Sequence, residues 1–297
     1  MSEALASPLV QPDRIPAPAP GVYPGTSGDD YRRWNAVSFR RLMRLDTSPY
    51  TMRHFLLHPE DEPETSPAAE FGIAAHAALL EPERYVREYV ALPEGRSNSK
   101  AVMEAEAKIL SRGQMPIKHD YAVTIERMLA SMRAHPQVSK VLDAPDRIGE
   151  ISAVSVHQPT GIPMKVRTDW ILPSKRMSLD LKTTGKQLSQ DEIERTLVWP
   201  WALQLSMIEK VFSTAAPLSD LDCEHFGVLA VEQKPAFECG LFFPDEGTMA
   251  LAHHRIDVLM ALYAKCEAAN HWPRIGEEGV VGVGAKPWIF QQYGQEV

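Results

Sequence analysis

The chain has 297 residues, 44% of them hydrophobic and 24% charged, which suits one large domain with a sizeable core. No apolar run approaches the ~18–20 residues that cross a bilayer and no secretory signal opens the sequence, so no membrane partner and a cytoplasmic location are expected. A net charge of −8 excludes nucleic-acid binding by the surface as a whole, and the three dispersed cysteines, Cys223, Cys239 and Cys266, give neither zinc nor disulfide spacing and are too few for a four-cysteine cluster.

In chain order, residues 1–22 are rich in Pro and Ala with little to bury, so a flexible arm is expected there. From Tyr31 to His58 there are six arginines and a single acid, Asp46, a basic stretch that reads as a phosphate footprint or as a solvated helix face. Ser38 caps a helix carrying Phe39, Leu42, Met43 and Leu45, and a helix start beside Arg33 or Arg40 suits an anion such as a 5′-phosphate. A second short helix, Tyr50–Leu57, stops at His58-Pro59. An acidic loop, Glu60–Thr65, then leads to Ser66-Pro67, a helix start with serine as N-cap. The helix that follows, Ala68–Leu80, is nearly all small or apolar and so buried, with one ionisable residue in its second half, His76. A polar loop at residues 95–100 precedes helices from about Ala101 and from Ala122 to Ala134.

A meander of strands comes next: Glu150–His157, Met164–Leu172 and Met177–Thr183, joined by turns at Gln158–Pro163 and Pro173–Arg176. With the second turn centred between Ser174 and Lys175, Asp169 and Asp180 face each other across an antiparallel pair, and Lys182 shares the face of Asp180. Two carboxylates with Cβ atoms ~5 Å apart repel each other, but they make a good seat for a hard divalent cation such as Mg²⁺. The lysine beside them is placed to orient a water or steady a phosphate, as in a phosphodiesterase centre. With the first turn centred between Thr160 and Gly161, Asp169 pairs with Ser152 and Glu150 joins the same face; a slip or bulge would break this convergence.

Ser189-Gln190-Asp191-Glu192 is a capping box opening the next helix, which Pro200 interrupts and which resumes over Trp201–Phe212 with Gln204 near its start. Trp199 and Trp201 read as core packing or as base-stacking residues. His225–Glu232 and Ala236–Phe243 read as a second pair of strands, Thr248–Asn270 as a long amphipathic helix, and residues 276–297 as a tail. The neighbours His253 and His254 point apart on that helix and make no metal pair.

Several of these pieces, in this order, resemble the phage and prophage recombination exonucleases of the exodeoxyribonuclease VIII type, a branch of the PD-(D/E)xK nuclease superfamily. The segment Gly21-Val22-Tyr23 through Tyr31 and Val37-Ser38-Phe39 resembles the family's opening, and Phe71-Gly72-x-x-x-His76-Ala77-x-x-Leu80-Glu81-Pro82 its histidine helix. Arg167-Thr168-Asp169-Trp170 is similar to its Arg-Pro-Asp element with Thr168 in place of proline, and Asp180-Leu181-Lys182-Thr183-Thr184 to its Asp-x-Lys-Thr run. Gln204 matches a downstream glutamine, while Ile208 stands where many relatives carry tyrosine.

The resemblance implies an α/β fold, a PD-(D/E)xK nuclease-like core with a central mixed β-sheet flanked by helices, over a single domain at residues 23–275. It implies His76, Asp169 and Asp180 as ligands of Mg²⁺, for which Mn²⁺ can substitute. Lys182 would orient the attacking water or stabilise charge on the scissile phosphate, and Gln204 would position the lysine or the DNA. Glu150 joins this catalytic set, and Arg167 joins Ser38, Arg33 and Arg40 as candidates for holding DNA or its 5′-phosphate. The implied activity is 5′→3′ degradation of one strand of linear double-stranded DNA. It would leave a 3′ single strand for a single-strand annealing partner in recombination, with a ring-shaped homo-oligomer around the DNA. The alternatives are another nuclease on this fold, endonuclease or single-strand exonuclease, and a noncatalytic DNA-binding recombination scaffold.

Overall fold

The computed structural model describes residues 14–61, 67–215, 221–279 and 281. Two short strands, β1 (Ile15–Pro16) and β2 (Gly21–Tyr23), lead into helix α1 (Gly28–Arg33) and strand β3 (Trp34–Asn35). Ser38 and Ser48, both extended, cap α2 (Phe39–Thr47) and α3 (Pro49–Leu57) by accepting from the amides of Arg41 and Thr51. The apolar helix α4 (Pro67–Leu80) is followed by α5 (Pro82–Glu88), strand β4 (Tyr89–Ala91), α6 (Lys100–Leu110), strand β5 (Met115–Ile117), α7 (His119–Ala134) and α8 (Val138–Leu142). The long strands β6 (Ile148–His157), β7 (Ile162–Leu172) and β8 (Met177–Thr184) come next. One helical turn, α9 (Gln190–Glu192), widens into a π turn at Ile193–Leu197 before α10 (Val198–Ala215). Strands β9 (His225–Glu232) and β10 (Cys239–Phe242) precede α11 (Glu246–Ala269), capped by Asp245.

Six strands form one mixed sheet in the order β10-β9-β8-β7-β6-β2, parallel only where β8 meets β9. A parallel pair needs a crossover, and α9 and α10 supply it. One face packs on α2, α10 and α11 through Leu42, Leu205, Phe212, Ile256 and Met260. The other packs on α4, α7 and α8 through Phe71, Ala75, Met128, Met132 and Val141. This is the α/β class expected from the sequence, helices on both faces of a mixed sheet.

Several boundaries differ from the expectation. Residues 14–22, assigned to the arm, include β1 and the start of β2, and β2 is an edge of the main sheet, pairing Gly21–Tyr23 with Ser152–Val154. Residues 1–13, the N-cap Ser66, most of the acidic loop and most of the tail lie outside the described residues. Pro200 does not interrupt its helix. The π turn lies directly upstream, and its wider loop accommodates a ring that lacks an amide and crowds the carbonyl four residues back. The short parallel pair β4–β5 and helix α5 were not anticipated.

Register decides the site. The pairs Trp170–Leu179, Ile171–Ser178 and Leu172–Met177 have the predicted register, which sets Asp169 across from Asp180, and Arg176 closes the turn at φ 48. The β6–β7 ladder corrects the other prediction: Ser152 pairs with Arg167, not with Asp169. Gly161 (φ 71) closes the turn instead of standing at its centre, moving the register by two residues. A two-residue shift keeps side chains on their face, and by the same count Glu150 now stands opposite Asp169. Neither residue takes a ladder position, and Glu150 adopts a left-handed φ of 50. Around this break β7 changes phase: Met164 and Val166 belong to one core, Trp170 and Leu172 to the other.

Candidate active site

Three side chains on two elements close a ring. Gln204 Nε2 on α10 donates to Asp180 Oδ1 at 2.6 Å, Lys182 Nζ donates to Gln204 Oε1 at 2.8 Å, and Lys182 Nζ lies 2.5 Å from Asp180 Oδ2. That last contact is an ion pair, and among the described residues the Lys182 ammonium is the one group that serves the buried Oδ2. Asp169 stands beside the ring, its Oδ2 accepting from the Leu181 amide at 2.7 Å and lying 3.7 Å from His76 Nδ1 on α4. Thr168 fixes β7 to β8 at this point through Ser178 Oγ (2.7 Å) and the Leu179 carbonyl (3.3 Å).

The electrostatics follow from crowding. Burial first, and then the Asp180 charge, push the Asp169 carboxyl well above the usual carboxylate range; the Leu181 amide and Lys182 oppose them. Burial also lowers the His76 imidazole, keeping it neutral and able to offer a lone pair. A buried carboxylate oxygen served by Lys182 alone, a carboxylate pair that resists joint ionisation and a neutral imidazole fit a hard divalent cation in kind. Among the described residues no three such donors are already drawn together around one point.

Glu150 Oε2 pairs with Arg167 Nη2 at 2.6 Å, while Arg167 Nη1 donates to the Thr26 carbonyl (2.8 Å) and to Ser152 Oγ (3.3 Å). Arg167 is thus engaged by the protein and holds Glu150 in place. Beyond Gln204 a cavity of about 450 Å³ is lined by Ser38, Arg32, Arg40, Arg41, Arg44 and Lys165, with Ile208 in its wall. Ser38 Oγ faces the amide of Arg41 as the cap of α2 (3.4 Å). Arg33 is absent from this lining, and its neighbour Arg32 takes the place. Arg41, Arg44 and Lys165 were not singled out from the sequence, although the arginine-rich stretch was. Lys165 is buried and donates to the carbonyls of Tyr31 (2.6 Å), Arg32 (3.1 Å) and Trp34 (2.8 Å), so it ties α1 and β3 to the sheet.

Other candidates separate cleanly. Trp201 is buried against Phe242, whereas Trp199 is exposed. His253 pairs with Glu209 at 3.0 Å, away from the site. The cysteines are buried, and burial raises all three thiols, that of Cys223 to about 12. Among the described residues no helix is long and apolar enough to cross a membrane.

A family model described as a PDDEXK-like domain of unknown function (DUF3799) matches residues 38–279. A solved structure of a proposed exonuclease from Eubacterium rectale is similar in fold, with a TM-score of 0.57 at 10% identity, covering 87% of this chain and 92% of that one. The structure of SSO0001 covers 48% of this chain and 68% of that one at 14% identity, with a TM-score of 0.28 too low to bear on the fold. No curated protein matches the sequence.

Proposed function

We propose, given that the chain belongs to the family of PDDEXK-like domains of unknown function, that it is a cation-dependent deoxyribonuclease that hydrolyses phosphodiesters from the ends of linear DNA. The carrying observation is the Asp180–Lys182–Gln204 ring around the buried Asp180 carboxylate, set against Asp169 and His76. The adjoining cavity, lined by six arginines, supplies charge for a phosphate backbone that an acidic surface does not.

In this reading His76, Asp169 and Asp180 hold Mg²⁺ or Mn²⁺, which supplies polarisation of the scissile phosphate and neutralises the charge that builds there. Gln204 fixes Lys182 and Asp180 relative to each other before substrate arrives. The Lys182 ammonium has three donors, and the one left over by Gln204 and Asp180 is directed to the attacking water or a phosphate oxygen. The guanidinium groups along α2 hold the backbone of the strand being cut.

The finer proposal is 5′→3′ digestion of one strand of duplex DNA. The resulting 3′ single strand passes to an annealing protein in recombination, and the enzyme works as a ring-shaped homo-oligomer. The test is digestion of linear 5′-phosphorylated duplex and closed circular DNA, with Mg²⁺ or EDTA, by wild type and Asp180→Ala. Loss of the linear DNA alone, dependent on the cation and abolished by the substitution, is the expected result. Cleavage of the circle would make it an endonuclease, and absence of any cleavage by folded protein with either cation would overturn the nuclease reading.

A further inference from the structure

The arginine-lined cavity is one end of a longer cleft. Cavities of about 820 and 400 Å³ share Ile73, Glu81, Arg84 and Glu150, and the larger shares Tyr31, Arg32 and Arg167 with the arginine-lined cavity. The two halves differ in charge. Asp29, Glu81 and Glu150 stand in the walls of the α4 half. Its arginines are already paired, Arg84 with Glu81 and Glu88, Arg32 with Asp29, and Arg167 with Glu150. A phosphodiester backbone is drawn to the α2 half, whose lining holds arginines and no acid, and finds no net positive charge in the other, where each carboxylate is matched by an arginine.

What α4 offers instead is apolar. Ile73 is 57% exposed while its neighbours Phe71, Ala74 and Ala75 are buried, and it lines both cavities of this half. It stands three residues before His76, so the two share a helix face. Gly72 beside it needs no left-handed backbone, and a Cβ built there meets nothing within 4 Å. Glycine weakens a helix interior, yet neither the fold of its own backbone nor its own packing asks for it here. The gap opens toward the smaller cavity.

We propose that Ile73 packs against a nucleobase of the bound DNA strand, across the opening left by Gly72, while the phosphates of that strand follow the arginines of α2. The contact rests on the nuclease reading above and adds the orientation of the substrate: bases toward α4, backbone toward α2. It is tolerant of sequence, because an aliphatic side chain meets the face of any base. It therefore selects for strands whose bases are unpaired where they pass α4.

The test uses the full chain carrying Asp180→Asn, which leaves the DNA uncut, and fluorescence anisotropy with short single-stranded oligodeoxynucleotides. An abasic nucleotide is moved along the oligonucleotide one position at a time, with Ile73 intact or as Ile73→Ala. Ile73→Ala is expected to weaken binding of the intact strand about five- to tenfold. At one position the abasic nucleotide should cause a similar loss, and the two changes together should lose no more than either alone. Gly72→Ala should raise the melting temperature and weaken binding, a combination that a purely structural glycine does not give. Losses that multiply at every abasic position, or no loss from Ile73→Ala, overturn the contact while leaving a DNA-cutting wild type intact. Failure of wild-type protein to bind or cut DNA overturns both the contact and the nuclease reading.

Discussion

Gln204→Leu keeps the bulk of the α10 side chain and removes both hydrogen bonds that join Asp180 to Lys182. The Asp180 side chain is only 4% exposed, so water does not replace the lost donor, whereas Lys182 at 30% regains water. Oδ2 keeps the Lys182 ammonium, so the substitution leaves Oδ1 as the buried oxygen without a donor. An unsatisfied buried acceptor costs about 1–3 kcal/mol, and in a domain of this size each kcal/mol moves the melting temperature by ~2–4 °C. The assay is thermal or urea unfolding in EDTA as a double-mutant cycle with Asp180→Ala, and the expected coupling is at least ~1 kcal/mol. Additivity within ~0.5 kcal/mol would mean that the ring has no energetic reality, and the positioning role of Gln204 would fall with it.

Other outcomes follow from the same geometry. The folded Asp169 carboxyl titrates above its unfolded value of about 3.9. Between those two values the folded state holds a proton that the unfolded chain has lost, so stability in EDTA falls as pH rises through the window. Urea midpoints against pH will show this fall, and Asp180→Asn will shrink it by removing the charge that ranks after burial among its causes. Mg²⁺ at about 100 times its dissociation constant should stabilise wild type by ~2.7 kcal/mol; calorimetry should show much of this gain lost in His76→Ala and Asp169→Asn. Arg40→Ala should weaken single-stranded DNA binding without regard to sequence and reduce the slope of log K against log salt by ~0.7.

The centre was more legible than its surroundings, for reasons that differ residue by residue. The short Pro173–Arg176 connection leaves little freedom in how β7 meets β8, so Asp169 opposite Asp180 could be counted off the chain. The other connection, read from the sequence as the longer Gln158–Pro163, allowed two centres, and where Gly161 places its positive φ decides between them. Glu150 survived the error because a shift of two preserves the face. Nothing in the periodicity of a nearly all-apolar α4 says which stripe looks into the cleft, so His76 rested on resemblance alone. Lys165 and Arg41 were invisible for a different reason: a buried cation runs against the expectation for its type, and its partners, backbone carbonyls for Lys165, carry no signature in sequence. Strands as short as β4 and β5 leave too few residues for an alternation to register.

The crossover between β8 and β9 also has a consequence in time. The β7–β8 hairpin, with Asp169, Asp180 and Lys182, is synthesised before the helix that aligns them. The helix bearing Gln204 comes after it, and the strand that α10 leads to, the parallel neighbour of β8, is synthesised later still. Until β9 emerges from the ribosome, β8 is an edge strand and α10 lacks the floor formed by Val228 and Ala230. The amide that aligns the acid with the lysine is therefore the last member to be seated, and a half-made chain carries the reactive groups without their alignment.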